Sequence, residues 1–220
     1  GNWSSTSTWS TGTVPGPADN VEIEHAVTLD IATADVFGLT ITNSGNLSLG
    51  GNEIMVSGEF DAQSGSTFSA GGGTIRLDGG NQTYRHAGDI THGNLILGGT
   101  GTKTLDYFSN NILFVEDLLQ VSTGVQLSFT DTPEIVLNNN SDFENRGTIT
   151  STEKWSLIVD GTSHDVEGGD FENVSFQTGA TVNQLSDFNY DGEVTTLSIA
   201  ATWNMNGHNI DLGTDWTFDA

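Results

Sequence analysis

The sequence predicts an all-β protein and, within that class, a single-stranded parallel β-helix: a β-solenoid of about ten coils of about 20 residues, right-handed as the more familiar choice for such coils and not by derivation from the sequence. Three observations predict it. Apolar residues alternate with polar ones in many short runs, the period of a half-buried strand. Clusters of Gly, Asn, Asp, Ser and Thr separate the runs and supply corners. The chain also echoes itself: Leu39, Leu118 and Leu197 stand 79 residues apart, and the text around them repeats.

Taken in order, the strands open with Val21/Ile23, Val27/Leu29/Ile31, Leu39/Ile41, Leu47/Leu49 and Ile54/Val56. They continue through Leu95/Leu97, Val125/Leu127/Phe129, Ile135/Leu137, Leu157/Val159, Val174/Phe176 and Leu197/Ile199. Leu49-Gly-Gly, Ala70-Gly-Gly-Gly73, Asp78-Gly-Gly80 and Leu97-Gly-Gly99 mark sharp corners where positive φ is needed. Each 79-residue unit divides into four unequal layers, and a layer of that size is one coil of a stack with a spacing of about 4.8 Å. The expected organisation is an amino-terminal cap over 1–20, then one solenoid domain over 21–220 holding about 2.5 copies of the 79-residue super-repeat. An antiparallel sandwich also suits short strands at regular spacing, but gives no reason for an echo of unequal steps.

Twenty-nine acidic residues face five basic ones, a formal net charge of −24. Phosphate backbones are bound by basic side chains that displace counterions, so nucleic acid is excluded as a partner. The longest apolar run, Ile112–Val115, falls far short of the about 20 residues that cross a bilayer, which excludes membrane insertion by a helix. There is no cysteine, so disulfides and thiolate metal sites are excluded. Scattered acids are the solvated shell expected of a secreted protein, and Gly1 fits a chain from which a leader has been cut.

Before the first strand comes Trp3-Ser-Ser-Thr-Ser-Thr-Trp9-Ser-Thr-Gly12-Thr-Val-Pro15-Gly-Pro17-Ala-Asp19-Asn-Val21-Glu-Ile23. Trp3 and Trp9 are expected to lie over the apolar end of the first coil, while Pro15 and Pro17 remove donors from an edge. This segment, together with Phe171-Glu-Asn-Val-Ser-Phe176, resembles bacterial extracellular and cell-surface β-helix repeat proteins of the adhesin-like type, including those secreted by Bacteroidetes. The resemblance implies a cell-surface location and a rod-like scaffold.

Candidate chemistry is sparse. Asp187, Asn189, Asp191 and Glu193 place oxygens at alternate positions around Gly192, as in the first half of a calcium loop, but Ser198 stands where that loop's closing Glu belongs. Calcium at these four is the one cofactor expectation; otherwise no cofactor is expected. Trp155 and Trp203 lack aromatic counterparts in the other copies and are the expected ligand-stacking pair for a surface glycan, with Tyr84, Tyr107 and Tyr190 as further faces. The five His have no metal spacing and are read as surface or turn residues. No Gly-x-Ser-x-Gly elbow occurs, and 29 acids always permit some carboxylate pair, so no catalytic residues are assigned and the chain is read as a non-enzyme.

The expected function is therefore an extracellular structural or adhesive β-solenoid, a segment or subunit of an adhesin or fibre. Its expected partners are a second copy, stacked end to end, or further domains of the same chain. The alternative is a glycan- or partner-binding module, calcium-dependent or not; a polysaccharide lyase or glycoside hydrolase is the third reading.

Overall fold

A computed structural model describes residues 1–107, 111–130, 134–150, 155–168, 170–171, 173–190, 196–197 and 201–212. Strands follow one another in threes: β1 (Asn20–Ile23), β2 (Ala26–Thr28) and β3 (Thr33–Val36), then β4 (Gly38–Ile41), β5 (Asn46–Ser48) and β6 (Glu53–Val56), then β7 (Phe60–Ala62), β8 (Thr67–Ser69) and β9 (Thr74–Leu77). The next two rounds fuse the second and third strands: β10 (Gln82–His86) leads into β11 (Ile90–Leu97), and β12 (Gly101–Tyr107) into β13 (Ile112–Val121). Beyond them lie β14 (Val125–Phe129), β15 (Glu134–Asn139), β16 (Asp142–Asn145), β17 (Thr148–Ile149), β18 (Ser156–Gly161) and β19 (His164–Glu167). The described strands end with β20 (Asp170–Phe171), β21 (Asn173–Phe176), β22 (Thr181–Gln184), β23 (Phe188–Tyr190), β24 (Thr196–Leu197), β25 (Thr202–Asn204) and β26 (Ile210–Leu212).

Every described ladder is parallel and joins strands of successive rounds, which is a β-solenoid. One wall is the seven-stranded sheet β1-β4-β7-β10-β12-β14-β17. A second begins as the three-stranded sheet β2-β5-β8. The long sheet β3-β6-β9-β11-β13-β15-β18-β21-β24 makes the third, with β16, β19, β22 and β25 branching from it. Inward positions form one continuous apolar core, and Phe60 stacks flat on Tyr84 one rung above, ring centroids 4.7 Å apart.

Among the described residues the solenoid makes about seven turns, somewhat fewer than the ten expected. Several of its rungs are longer than 20 residues: Leu39 pairs with Phe60, Phe60 with Tyr84, Tyr84 with Leu105 and Leu105 with Phe129. The 79-residue echo is not the stacking period either. Leu39 lies in the first wall, whereas Leu118 and Leu197 lie in the long sheet, and the vertical neighbours of Leu39 are Val21 and Phe60. Leu39 and Leu118 do not share a parity either, since Leu39 is buried whereas Leu118 is half-buried beside the buried Leu119.

Trp3 is fully buried, its ring edge-on to Trp9 at 4.8 Å, and Trp9 Nε1 donates to the Trp3 carbonyl at 2.8 Å. Asn2 also bridges Thr28, so the amino terminus lays a partial rung on β2, strand edge that would otherwise stand open. Pro15 is half-buried and Pro17 exposed, in the irregular stretch before β1.

Glycine corners let neighbouring coils touch. A Cβ on Gly45 would sit 2.0 Å from the Ile23 carbonyl oxygen in the rung before it, and Gly99 (φ +67°) would place one 2.1 Å from the Asp78 oxygen. Only glycine allows these approaches.

Candidate functional site

Of the two expected ligand-stacking tryptophans, Trp155 is a core residue and Trp203 packs against the core. Trp155 is 1% exposed and packs on Phe129 and Phe143, at 5.4 and 6.4 Å between centroids. Trp203 is half-buried, edge-on to Phe176 at 5.1 Å and packed against the core. Trp155 is therefore no platform; both residues stand on the inward parity of their rungs, where alternation places bulk. Tyr84 is likewise fully buried. The side chains of Tyr107 and Tyr190 lie outside the described residues.

Of the calcium candidates, Asp191 and Glu193 lie outside the described residues, as does the Asn189 side chain. Asp187 Oδ1 accepts the Asn209 backbone N–H at 2.8 Å and stands 3.5 Å from His208 Nδ1. The Asn209 N–H holds the Asp187 carboxyl below its ordinary pKa. Its visible role is to tie two successive corners. Among the described residues, no three His, Cys, Asp or Glu converge to hold a metal ion.

Three histidines read as surface residues are buried: His86, His92 and His164. His164 Nδ1 reaches the Ser141 carbonyl at 2.7 Å, which ties adjacent rungs. His92 hydrogen-bonds through Nε2 to the Tyr84 hydroxyl and lies 5.1 Å from the Phe68 ring. Burial, and then the neighbouring His86, push its pKa down to about 3, so it is neutral across the ordinary pH range. Burial lowers that of His86 as well. Lys103 is also fully buried, its Nζ donating to the carbonyls of Gly79 (2.8 Å), Gly80 (2.6 Å) and Thr100 (3.1 Å) and to Gln82 Oε1 (2.6 Å). Lys103 shares the inward parity of Leu105, while Thr102 and Thr104 face out.

Among the described residues, the most enclosed recess is one the sequence did not signal. The three-stranded wall stops at β8; the next rung there is the first half of β11, Ile90–His92, which pairs only with β13. Among the described residues no ladder joins Thr67–Ser69 to Ile90–His92. The path is short here: Ala62 lies opposite His86 and Thr74 opposite Asn94, so the lower rung takes 12 residues between these points and the upper only eight, which shortens the corner at Ala87–Asp89. A cleft of about 150 Å³ opens in the break, with Gln63, Ser66 and Phe68 below, His86 behind, and Gly88, Asp89 and Thr91 above.

A shallow depression carrying Asp61, Arg85 and Asp106 adjoins it and shares Gln63 and Ala87. Arg85 Nε donates to Asp106 Oδ2 at 2.7 Å, and this raises the guanidinium's pKa. Burial works against ionisation of Asp106, but bonds from Thr130 and Arg85 outweigh it and leave its pKa below the ordinary value. The depression is thus a neutralised pair beside a further carboxylate. Phe68 is the residue that sequence reasoning passed over; it occupies an inward position of β8, in register with Leu47.

What the fold defines is a parallel β-solenoid with a polar cleft where one wall breaks. No family model matches the chain, and no curated protein or solved structure is significantly similar to it.

Proposed function

We propose that this chain is an extracellular structural or adhesive scaffold, a segment or subunit of a cell-surface adhesin or fibre of the bacterial adhesin-like β-helix type, and not an enzyme. The observation that carries this reading is the single apolar core running through successive parallel rungs, which makes the molecule a stiff column with its outward positions free for display. The strongly acidic composition suits a solvated exterior. Two of the basic side chains are tied to carboxylates, Arg76 to Glu53 and Arg85 to Asp106, and so are not free to work on an acidic substrate. Among the described residues, no helix is long and apolar enough to cross a membrane. End-to-end association of copies, or continuation into further domains, is the expected mode of extension. Electron microscopy and sedimentation at high concentration test the first: rods longer than one molecule are expected, and dispersed monomers alone would remove it.

A second reading, binding of a glycan or partner, is favoured by one observation, the cleft beside β8. Calcium dependence of such binding rests on Asp187, Asn189, Asp191 and Glu193. On that reading added Ca²⁺ raises the melting temperature, chelator lowers it, and D187A abolishes the difference.

A further inference from the structure

We propose that the break between β8 and β11 is a binding site for a single uncharged sugar residue, presented at the end or along the side of a glycan. The inference goes beyond the scaffold reading, since it assigns the column a specific ligand position.

The site is limited by what cannot enter it. A further strand would need adjacent rungs to part to about twice the usual 4.7–4.9 Å spacing. The Phe68 and His92 rings lie only 5.1 Å apart across the break, so an inserted peptide strand does not fit. The cleft, at about 150 Å³, is also well below the roughly 300–1,000 Å³ of sites for drug-sized ligands. One compact polar unit is what remains.

The lining says which unit. Gln63 offers an amide with donors and an acceptor, Ser66 and Thr91 offer hydroxyls, and Phe68 supplies an apolar face beside them. The backbone adds a pair. Thr67 N–H bonds to the Gly45 carbonyl, and the Ser69 carbonyl accepts from Leu49 N–H, both in the rung below. Strand alternation therefore turns the N–H and C=O of Phe68 toward the missing ladder, a donor and an acceptor side by side. Vicinal hydroxyls, each both donor and acceptor, match such a mixed set, with the C–H face of a sugar ring against Phe68. Charge decides the rest: Asp61, Asp89 and Asp106 surround the site against Arg85 alone, and Arg85 is already paired with Asp106. An anionic ligand such as a uronate or a phosphate is repelled.

Saturation-transfer NMR with the intact chain tests this, using methyl glycosides of neutral hexoses and of N-acetylglucosamine at on the order of 10 mM, enough to occupy a site with a dissociation constant of about 1 mM. Glucuronate is the anionic probe. Transfer from at least one neutral glycoside is expected, with glucuronate at least about tenfold weaker. Q63A and T91V should each weaken binding about threefold or more while the circular dichroism spectrum and melting temperature stay unchanged. No transfer from any neutral probe, equal binding of glucuronate, or binding that survives both variants would overturn the proposal. Because the column's integrity is read separately, loss of this site and loss of the scaffold reading are distinguishable.

Discussion

At the scale of single residues, the buried polar side chains carry the sharpest consequences. His92 has a folded pKa of about 3 against an ordinary value of about 6.5, so between those limits the unfolded chain binds the extra proton. The sign follows: stability is intact above about pH 6.5 and is lost as pH falls toward 3, by about 3 kcal/mol already at pH 4.5. H92F should flatten this acid limb, read as urea midpoints measured across pH. An acid slope identical to wild type would show that His92 does not titrate in the fold. Little of this was legible beforehand. His92 and Lys103 are polar by type, and only the walls closing around inward parity turn them into core residues.

At the scale of elements, corners and rungs must fit one another to a few tenths of an ångström. G45A pushes a Cβ against the Ile23 carbonyl, and the rung has to shift; a cost of about 2 kcal/mol, or about 6 °C in melting temperature, is expected. Gly80 has nothing within 4 Å of a Cβ, so G80A should melt within about 1 °C of wild type. Equal effects in the two variants would mean that close approach between coils is not what selects glycine. The strands themselves were readable: Val27/Leu29, Ile54/Val56, Ile135/Leu137 and Leu157/Val159 are all buried at alternate positions, as their pattern demanded. The cleft was not, because it arises from the absence of a ladder between β8 and β11. Hydrogen-bond partners of a strand are set by which rung lies above it, and neither Thr67–Ser69 nor Ile90–His92 carries that information locally.

At the scale of the whole molecule, stability is a sum over coils and their interfaces, so the ends govern how unfolding begins. The Trp3 side chain seals the first coil, and W3A should cost about 3–5 kcal/mol. Hydrogen exchange should then rise first in β1 and β2 and spread inward; uniform loss of protection across all rungs would contradict a column that opens from its cap. Alternation and corner residues by themselves determined that this chain is all-β, since side-chain parity and turn chemistry are local properties; the choice of a solenoid over a sandwich rested on the 79-residue echo, which is not the stacking period. Tertiary structure alone decided which residues share a wall, how many turns the column makes, that Trp155 is core, and where the wall breaks. Those depend on the exact length of every corner, and one or two residues there move all later strands to new neighbours.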